Sequence, residues 1–419
     1  MIQNRNSTRI RHLKGRNGER VETRREIESE LTQYFSEILR EEAGDRSREI
    51  NQITSLIPNM ISAENNEMLV RPIEMQELEE AANQMAPGKA PGPDGFTSNF
   101  FHLFWDLIKA EVLDIVEESR VKKGVLRAFN ATFLTLIPKE TGAASPDKFR
   151  PIALCNVIYK IISKVIANRL KPLLPMLISP EQSGFVEGRE ILDGVILVHE
   201  VLHSLKTSRI PGMMIKLDIA KAYDKLNWSF MEKTLIAYGF SPEWVEWIMS
   251  LVSSPFYSIL LNGSPTSSFQ PSRGIRQGDP LSPFLFILMA EGLSRLIKDQ
   301  VSCRKLRGVK IQEGFPPQTH QQFVDDTMLM GHPSVQEARS FKRCLDIFEQ
   351  ASGLAANPNK SQVFFVNTPP VTQRCILRVL GFPRGTLPTK YLGIPMGLKR
   401  PKSADWQEFL DKMKQRLSC

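Results

Sequence analysis

HQQFVDDTMLMG, residues 320–331, sets two carboxylates, Asp325 and Asp326, side by side between apolar residues. Phe323 and Val324 precede them, and Met328, Leu329 and Met330 read as the outgoing strand of a hairpin. Neighbouring side chains on a strand point to opposite faces. Two carboxylates in a half-buried place repel each other unless something offsets their charge. The stretch is therefore either a solvated turn, where Asp is common, or a place for a cation.

A second acid stands about a hundred residues earlier. MMIKLDIA (213–220) alternates as a strand, with Met214, Lys216 and Asp218 on one face and Ile215, Leu217 and Ile219 on the other. If this strand lies beside the 320–331 hairpin, Asp218, Asp325 and Asp326 meet at one edge of a sheet. Carboxylates converging from separate strands make a hard, oxygen-only site of the kind Mg²⁺ takes while keeping waters and phosphates as further ligands.

Composition sets the frame. The chain has 419 residues, 42% hydrophobic and 24% charged, ordinary values for a globular protein with a large core. Fifty-four Lys and Arg stand against 46 Asp and Glu, and this mild basic excess suits a polyanionic partner. Cys155, Cys303, Cys344, Cys375 and Cys419 are scattered and odd in number, which argues against a disulfide framework or a cysteine zinc site and for a reducing compartment. The start, MIQNRNSTRIRH, is polar and basic, unlike a secretory signal. The longest apolar run, PFLFILMAEGL, is broken by Glu291 well short of a membrane span. No membrane partner is expected.

Residues 1–20 read as loose and basic. Helical periodicity follows at 24–40 and 74–85, and together these give a helical N-terminal extension over 1–85. APGKAPGPDG (86–95) is a Pro/Gly loop. Helices are expected at 157–170, 191–205 and 335–351. Strands are expected at 213–220, at 257–263 with an Asn-Gly hairpin turn, and after Lys360. Another helix is expected over 279–297, with Asp279 as N-cap and Pro280 in its first position. The mixture predicts an α+β fold with a largely antiparallel sheet.

LDIAKAYD (217–224), GIRQGDPLSPFLF (274–286), FVDD (323–326), GLAANPNKS (353–361) and YLGIPMG (391–397) occur in this order. So do APGPDGFTSNFF, FRPIALCNVIYKIISKVIANRL and SPEQSGFVEGREILDGV upstream. The set resembles the reverse transcriptases of non-LTR (LINE-type) retrotransposons, most of all plant copies, over roughly residues 86–397. Any one motif is weak and the ordered set is strong. The resemblance implies a right-hand polymerase fold: fingers over 86–212, a reverse transcriptase domain over 119–397, a palm over 213–384 with an antiparallel sheet, and a primer grip with an incomplete thumb over 385–419. It implies an RNA-directed DNA polymerase that adds deoxynucleotides to a primer 3′-hydroxyl on an RNA or DNA template. Two Mg²⁺ ions about 3.5–4 Å apart would serve it, with Mn²⁺ as a substitute. The nucleus or cytoplasm is the expected location.

Carried over residue by residue, Asp218, Asp325 and Asp326 match the metal-binding catalytic acids. Tyr223 matches the aromatic that underlies the incoming sugar and rejects a 2′-hydroxyl. Gln277 and Gly278 match a turn that contacts nucleotide and template. Lys139 and Arg150 match cations that grip the triphosphate, and Lys360 a lysine near the pyrophosphate. Gln182 and Arg189 are expected along the template path, with Tyr391 and Gly393 in the primer grip. Val324 stands where the family usually has Ala. Gln321 and Gln322 replace an apolar strand, which they are expected to weaken. ADWQEFLDKMKQRLSC (404–419) resembles the first helix of a thumb, so extension by a few additions is expected.

Taken singly, each of these residues also reads as a surface charge, a core aromatic or a helix cap. Two other functions compete. One is an inert nucleic-acid-binding relic of such an element. The other is a zinc metalloprotease, through HEVLH (199–203), which places His199 and His203 on one helical face with Glu200 as base but lacks a third ligand of metzincin type in the residues that follow.

Overall fold

The computed structural model describes residues 9–398 together with Trp406, Gln407, Leu410, Asp411, Met413 and Lys414. The expected thumb helix at 404–419 lies outside the described residues apart from those six. The strands in chain order are β1 (Leu13–Lys14), β2 (Arg20–Val21), β3 (Ala131–Pro138), β4 (Phe149–Cys155), β5 (Gly212–Leu217), β6 (Phe256–Leu261), β7 (Ser264–Pro265), β8 (His320–Phe323), β9 (Asp326–Gly331), β10 (Gln362–Val366), β11 (Thr389–Tyr391) and β12 (Ile394–Met396). The α+β class follows directly. The chain divides into two compact units. Unit 1 comprises Met1–Asp45, Asn59–Leu173 and Tyr223–Leu285; unit 2 comprises Arg46–Pro58, Leu174–Ala222 and Phe286–Cys419.

In unit 1 a four-stranded sheet runs β4-β3-β6-β7, parallel only between β3 and β6. The β6–β7 turn has positive φ at both Asn262 and Gly263, the pattern that an Asn-Gly pair favours between two strands. Residues 9–21 are not loose: β1 and β2 pair as a short hairpin. The helix Arg24–Ile38 starts at a capping box in which Thr23 and Glu26 exchange hydrogen bonds, and it buries Ile27, Leu31 and Phe35 at i, i+4 spacing. The helix Val157–Leu170 is apolar nearly all round and is accordingly buried nearly all round. At its C-terminal end the buried Arg169 makes a bidentate pair with Glu77, at 2.6 and 2.8 Å, and donates its other N–H groups to the carbonyls of Leu69, Arg71 and Pro72.

In unit 2 an antiparallel sheet runs β10-β5-β9-β8. Met214, Met328, Met330 and Phe364 lie on one face of it and pack with Val195, Val198 and Leu202 of the helix Ile191–Thr207 and with Tyr391 and Met396 of the β11–β12 hairpin. On the other face Gly331 leaves room for Phe341 of the helix Val335–Ser352, since a Cβ there would meet that ring at 3.0 Å. The helix expected at 279–297 begins later, at Ser282, and runs to Ser302. Asp279 still caps it, its carboxylate accepting the Ser282 N–H at 3.1 Å, so Pro280 lies in the lead-in.

The glutamines expected to weaken β8 do not. His320, Gln321 and Gln322 are all buried, and the strand's outer edge is covered by residues 181–183: Gln322 donates its N–H to the Glu181 carbonyl at 2.7 Å and accepts from the Ser183 N–H at 3.0 Å. Ser294 donates its hydroxyl to Gln322 Oε1. That bond leaves Ser294 to accept from His320 Nε2, and Thr319 to donate to Nδ1, so the network holds a neutral imidazole protonated on Nε2. Gly194 lets the helix Ile191–Thr207 approach closely, its virtual Cβ lying 2.8 Å from Gln321 Nε2. The polar side chains of His320 and Gln322 are stable in this strand because their polar atoms are paired.

Burial pushes the His320 imidazole down to about 4, against the opposing charge of Glu181. A histidine whose folded pKa lies below its unfolded one contributes stability above the unfolded value and loses it as the pH falls. Denaturant unfolding between pH 7 and pH 4 should therefore show a loss of up to about 3 kcal/mol across the window from 6.5 to 4, which His320→Gln flattens. An identical slope in the variant would show that His320 is not the group responsible.

Candidate active site

The ladder between β5 and β9 brings the acids together. Leu217 pairs with Thr327, so Asp218, one residue beyond, falls opposite Asp326 on the face that also carries Lys216 and Met328. Asp218 and Asp326 are half-buried and Asp325 is exposed. Burial first, then the charge of Asp325, holds the Asp326 carboxyl above the usual range; Asp218 adds to this and Lys216 opposes it. Asp326 thus feels the negative charge of both other acids. Among the described residues no three His, Cys, Asp or Glu side chains stand, as placed, within metal-holding reach. In donor chemistry the set suits a hard divalent cation: all ligands are carboxylate oxygens, and added positive charge relieves the repulsion at Asp326.

The Asp218 backbone is tied down on both sides. Its N–H donates to Ser361 Oγ at 3.2 Å and its carbonyl accepts from the Asn357 N–H at 2.7 Å. Lys360 lies exposed in this same 357–361 segment, near Asp218. Lys216, absent from the expected site, is the counter-charge beneath Asp326, and its Nζ donates to the Lys390 carbonyl of β11 at 2.7 Å. Its even spacing from Asp218 was the only hint of this in the sequence.

The acids ride on a two-residue turn in which Phe323 faces Asp326. Val324, the first turn residue, has φ +57°. This position of a tight hairpin usually takes Gly, and a β-branched residue there is strained, at a cost of about 1–3 kcal/mol. Gln182 was expected along the template path. It is instead 1% exposed, its carboxamide bonded to the backbone of this turn. Arg189 is likewise engaged locally, donating to the carbonyls of Pro175, Ile178, Ser179 and Gln182. Tyr391, expected in the primer grip, is 1% exposed and packs in the core. Its hairpin turns at Leu392 and Gly393, both with positive φ, and exposes Lys390 and Gly393.

Five expected nucleotide contacts belong to unit 1. Lys139 and Arg150 sit at the end of the β3–β4 hairpin, both exposed; the Ile137–Arg150 pairing puts them on one face. Lys139 Nζ donates to the Asp147 carbonyl at 2.8 Å. Tyr223 is half-buried, and its carbonyl accepts from the Ile275 N–H at 2.7 Å. Gln277 accepts through its carbonyl from the Ala153 N–H at 2.9 Å, and the exposed Gly278 has φ +114°, open to glycine alone. The close packing of Gly274 on the Asp224 carbonyl, 2.6 Å from its virtual Cβ, holds this loop against the Tyr223 segment.

The rival HEVLH motif does not assemble. His199 is half-buried and His203 exposed on the helix Ile191–Thr207, and no third ligand joins them among the described residues.

Comparison with known proteins agrees with the geometry. The sequence profile described as reverse transcriptase (RNA-dependent DNA polymerase) matches residues 137–396. The chain is 31% identical over 302 residues to the transposon TX1 uncharacterized 149 kDa protein of Xenopus laevis, covering 72% of this chain and 23% of that protein. It is 27% identical over 323 residues to the retrovirus-related Pol polyprotein from the type-2 retrotransposable element R2DM of Drosophila melanogaster, covering 75% of this chain and 29% of that one. A third match, 45% identical over 73 residues, is to an uncharacterized mitochondrial protein of Arabidopsis thaliana, covering 17% of this chain and 60% of that protein. The chain thus spans less than a third of the length of the Xenopus and Drosophila relatives.

Proposed function

The chain belongs to the reverse transcriptase (RNA-dependent DNA polymerase) family, in the branch of non-LTR retrotransposons, and from that premise we propose that it extends a primer 3′-hydroxyl with deoxynucleotides along an RNA template. The observation that carries the proposal is the juxtaposition of Asp218 with Asp326 across the β5–β9 ladder, with Asp325 in the adjoining turn. In this reading Asp218, Asp325 and Asp326 hold divalent ions, Mg²⁺ by preference. Bound there, such ions neutralise charge on the reacting phosphates and on the attacking hydroxyl. Lys139 and Arg150 bind the triphosphate from the β3–β4 tip, and Lys360 meets the pyrophosphate. Gln277 and Gly278 line the nucleotide and template side.

The partition into fingers (86–212), palm (213–384) and primer grip (from 385) belongs to the same proposal. It is supported by a sheet whose four strands all fall within 212–366. A plant source is supported by the short match to the Arabidopsis protein. The nucleus or cytoplasm is the proposed place of action.

The test is extension of a primed RNA template by the full chain with deoxynucleotides and Mg²⁺. Template-dependent product supports the proposal; binding of the duplex with no addition points to the relic reading. Tyr223→Ala is expected to raise ribonucleotide incorporation relative to deoxynucleotide by roughly 10-fold or more, because removing a flat wall opens room for one hydroxyl. Competition assays with paired nucleotides read this ratio, and an unchanged ratio removes Tyr223 from sugar selection.

A further inference from the structure

We infer that Gln182 is a positioning residue that holds the carboxylate-bearing turn in its strained geometry. Its carboxamide grips Val324 from both sides: Oε1 accepts the Val324 N–H at 2.9 Å and Nε2 donates to the Val324 carbonyl at 3.3 Å. The same Oε1 accepts the Gly184 N–H at 2.9 Å, which fixes the side chain's own orientation. All donors and acceptors of this buried amide that face the turn are matched. Its rail is anchored independently, because Glu181 and Ser183 exchange backbone hydrogen bonds with Gln322 of β8.

The need for a clamp comes from Val324. With φ at +57°, a β-branched residue left alone would relax towards negative φ and swing the two acids that follow it. Gly184 completes the device. A Cβ at that position would lie 2.7 Å from Val324 Cγ2 and 3.1 Å from Gln182 Oε1, so a larger residue would displace both partners. Gln182, Gly184 and Val324 therefore act as one unit, and Gln182 acts on the chemistry only through the turn.

This inference rests on the polymerase reading for its catalytic consequence but not for the clamp itself. The test compares the full chain with Gln182→Ala, Val324→Gly and the double variant. The first readout is amide hydrogen exchange in peptides covering 323–327, without nucleic acid or metal. Gln182→Ala should quicken exchange there by roughly 10- to 100-fold while the helix Val157–Leu170 keeps its protection. Unchanged exchange at 323–327, or faster exchange throughout the chain, would overturn the clamp.

The second readout is steady-state primer extension. Gln182→Ala should lower kcat by roughly 10- to 100-fold with little change in the KM for deoxynucleotide, since displacement of about 1 Å at reacting groups costs that much. Glycine tolerates the turn unaided, so Val324→Gly should restore kcat in the Gln182→Ala background to within about fivefold of Val324→Gly alone. Failure of that rescue would overturn the positioning role. If the unmutated chain extends no primer, the polymerase reading fails by itself, and the exchange measurement still decides whether Gln182 holds the turn.

Discussion

Primer extension is expected to fall by roughly a thousandfold or more when Asp218 or Asp325 is replaced by Asn, equivalent to about 4 kcal/mol of transition-state stabilisation. The amide keeps the shape of the carboxylate but loses the charge that would hold a divalent ion. Asp218 contributes through a backbone fixed by Ser361 and Asn357, so the substitution leaves the ladder in place. Stability should move the other way. The Asp326 carboxyl is held above the usual range by burial and by its acidic neighbours, so removing one of those charges lessens repulsion in the metal-free protein. An inactive Asp218→Asn variant with an unchanged or higher Tm is the expected pair of results. Retained extension would show that the carboxylates are not the reacting centre, and a sharply lower Tm would show that Asp218 serves the fold.

Glu77→Ala is expected to cost unit 1 about 3–5 kcal/mol, because it takes the paired carboxylate from a buried guanidinium and leaves it only the unbonded charge of Glu117. The Arg169 side chain is 4% exposed and the Glu77 side chain 14%, so water screens neither well. Three backbone carbonyls still accept from Arg169 after the substitution, but none carries a formal charge. Replacing both residues with apolar ones, Arg169→Met with Glu77→Leu, should cost much less than the single change. Urea unfolding of the three proteins measures this. Equal losses in the single and double variants would mean that packing, rather than an orphaned charge, sets the cost.

How much of this was legible in the sequence follows the range of the interaction. The helix Val157–Leu170 coincides with its apolar stretch, and the Asn262-Gly263 turn joins β6 to β7 as that pair of residues demands. Lys216 and Asp218 share a face because alternation on a strand is strict. The helix after RQGDP began three residues beyond Asp279 because the cap acts over one turn and alone does not say where the turn starts. Gln321 and Gln322 looked unfit for a buried strand because nothing nearby supplies their partners. Gln322 finds its partners far along the chain: Glu181 and Ser183 for its backbone and Ser294 for its side chain.

The sequence by itself determined several elements, among them the helix Val157–Leu170 and the strand that leads to Asp218, and it singled out three acids as candidates. Periodicity and turn chemistry act over a few positions and read such elements directly, whereas the order of the motifs spoke only through the family resemblance. Only the tertiary structure showed that Gln182, Arg189 and Tyr391, which the family resemblance places along template and primer, are engaged within the fold. The Gln182 amide meets the Val324 backbone across 142 residues of chain. A polar side chain's task is fixed by whichever group comes within 3 Å once it is buried, and no local pattern encodes that meeting.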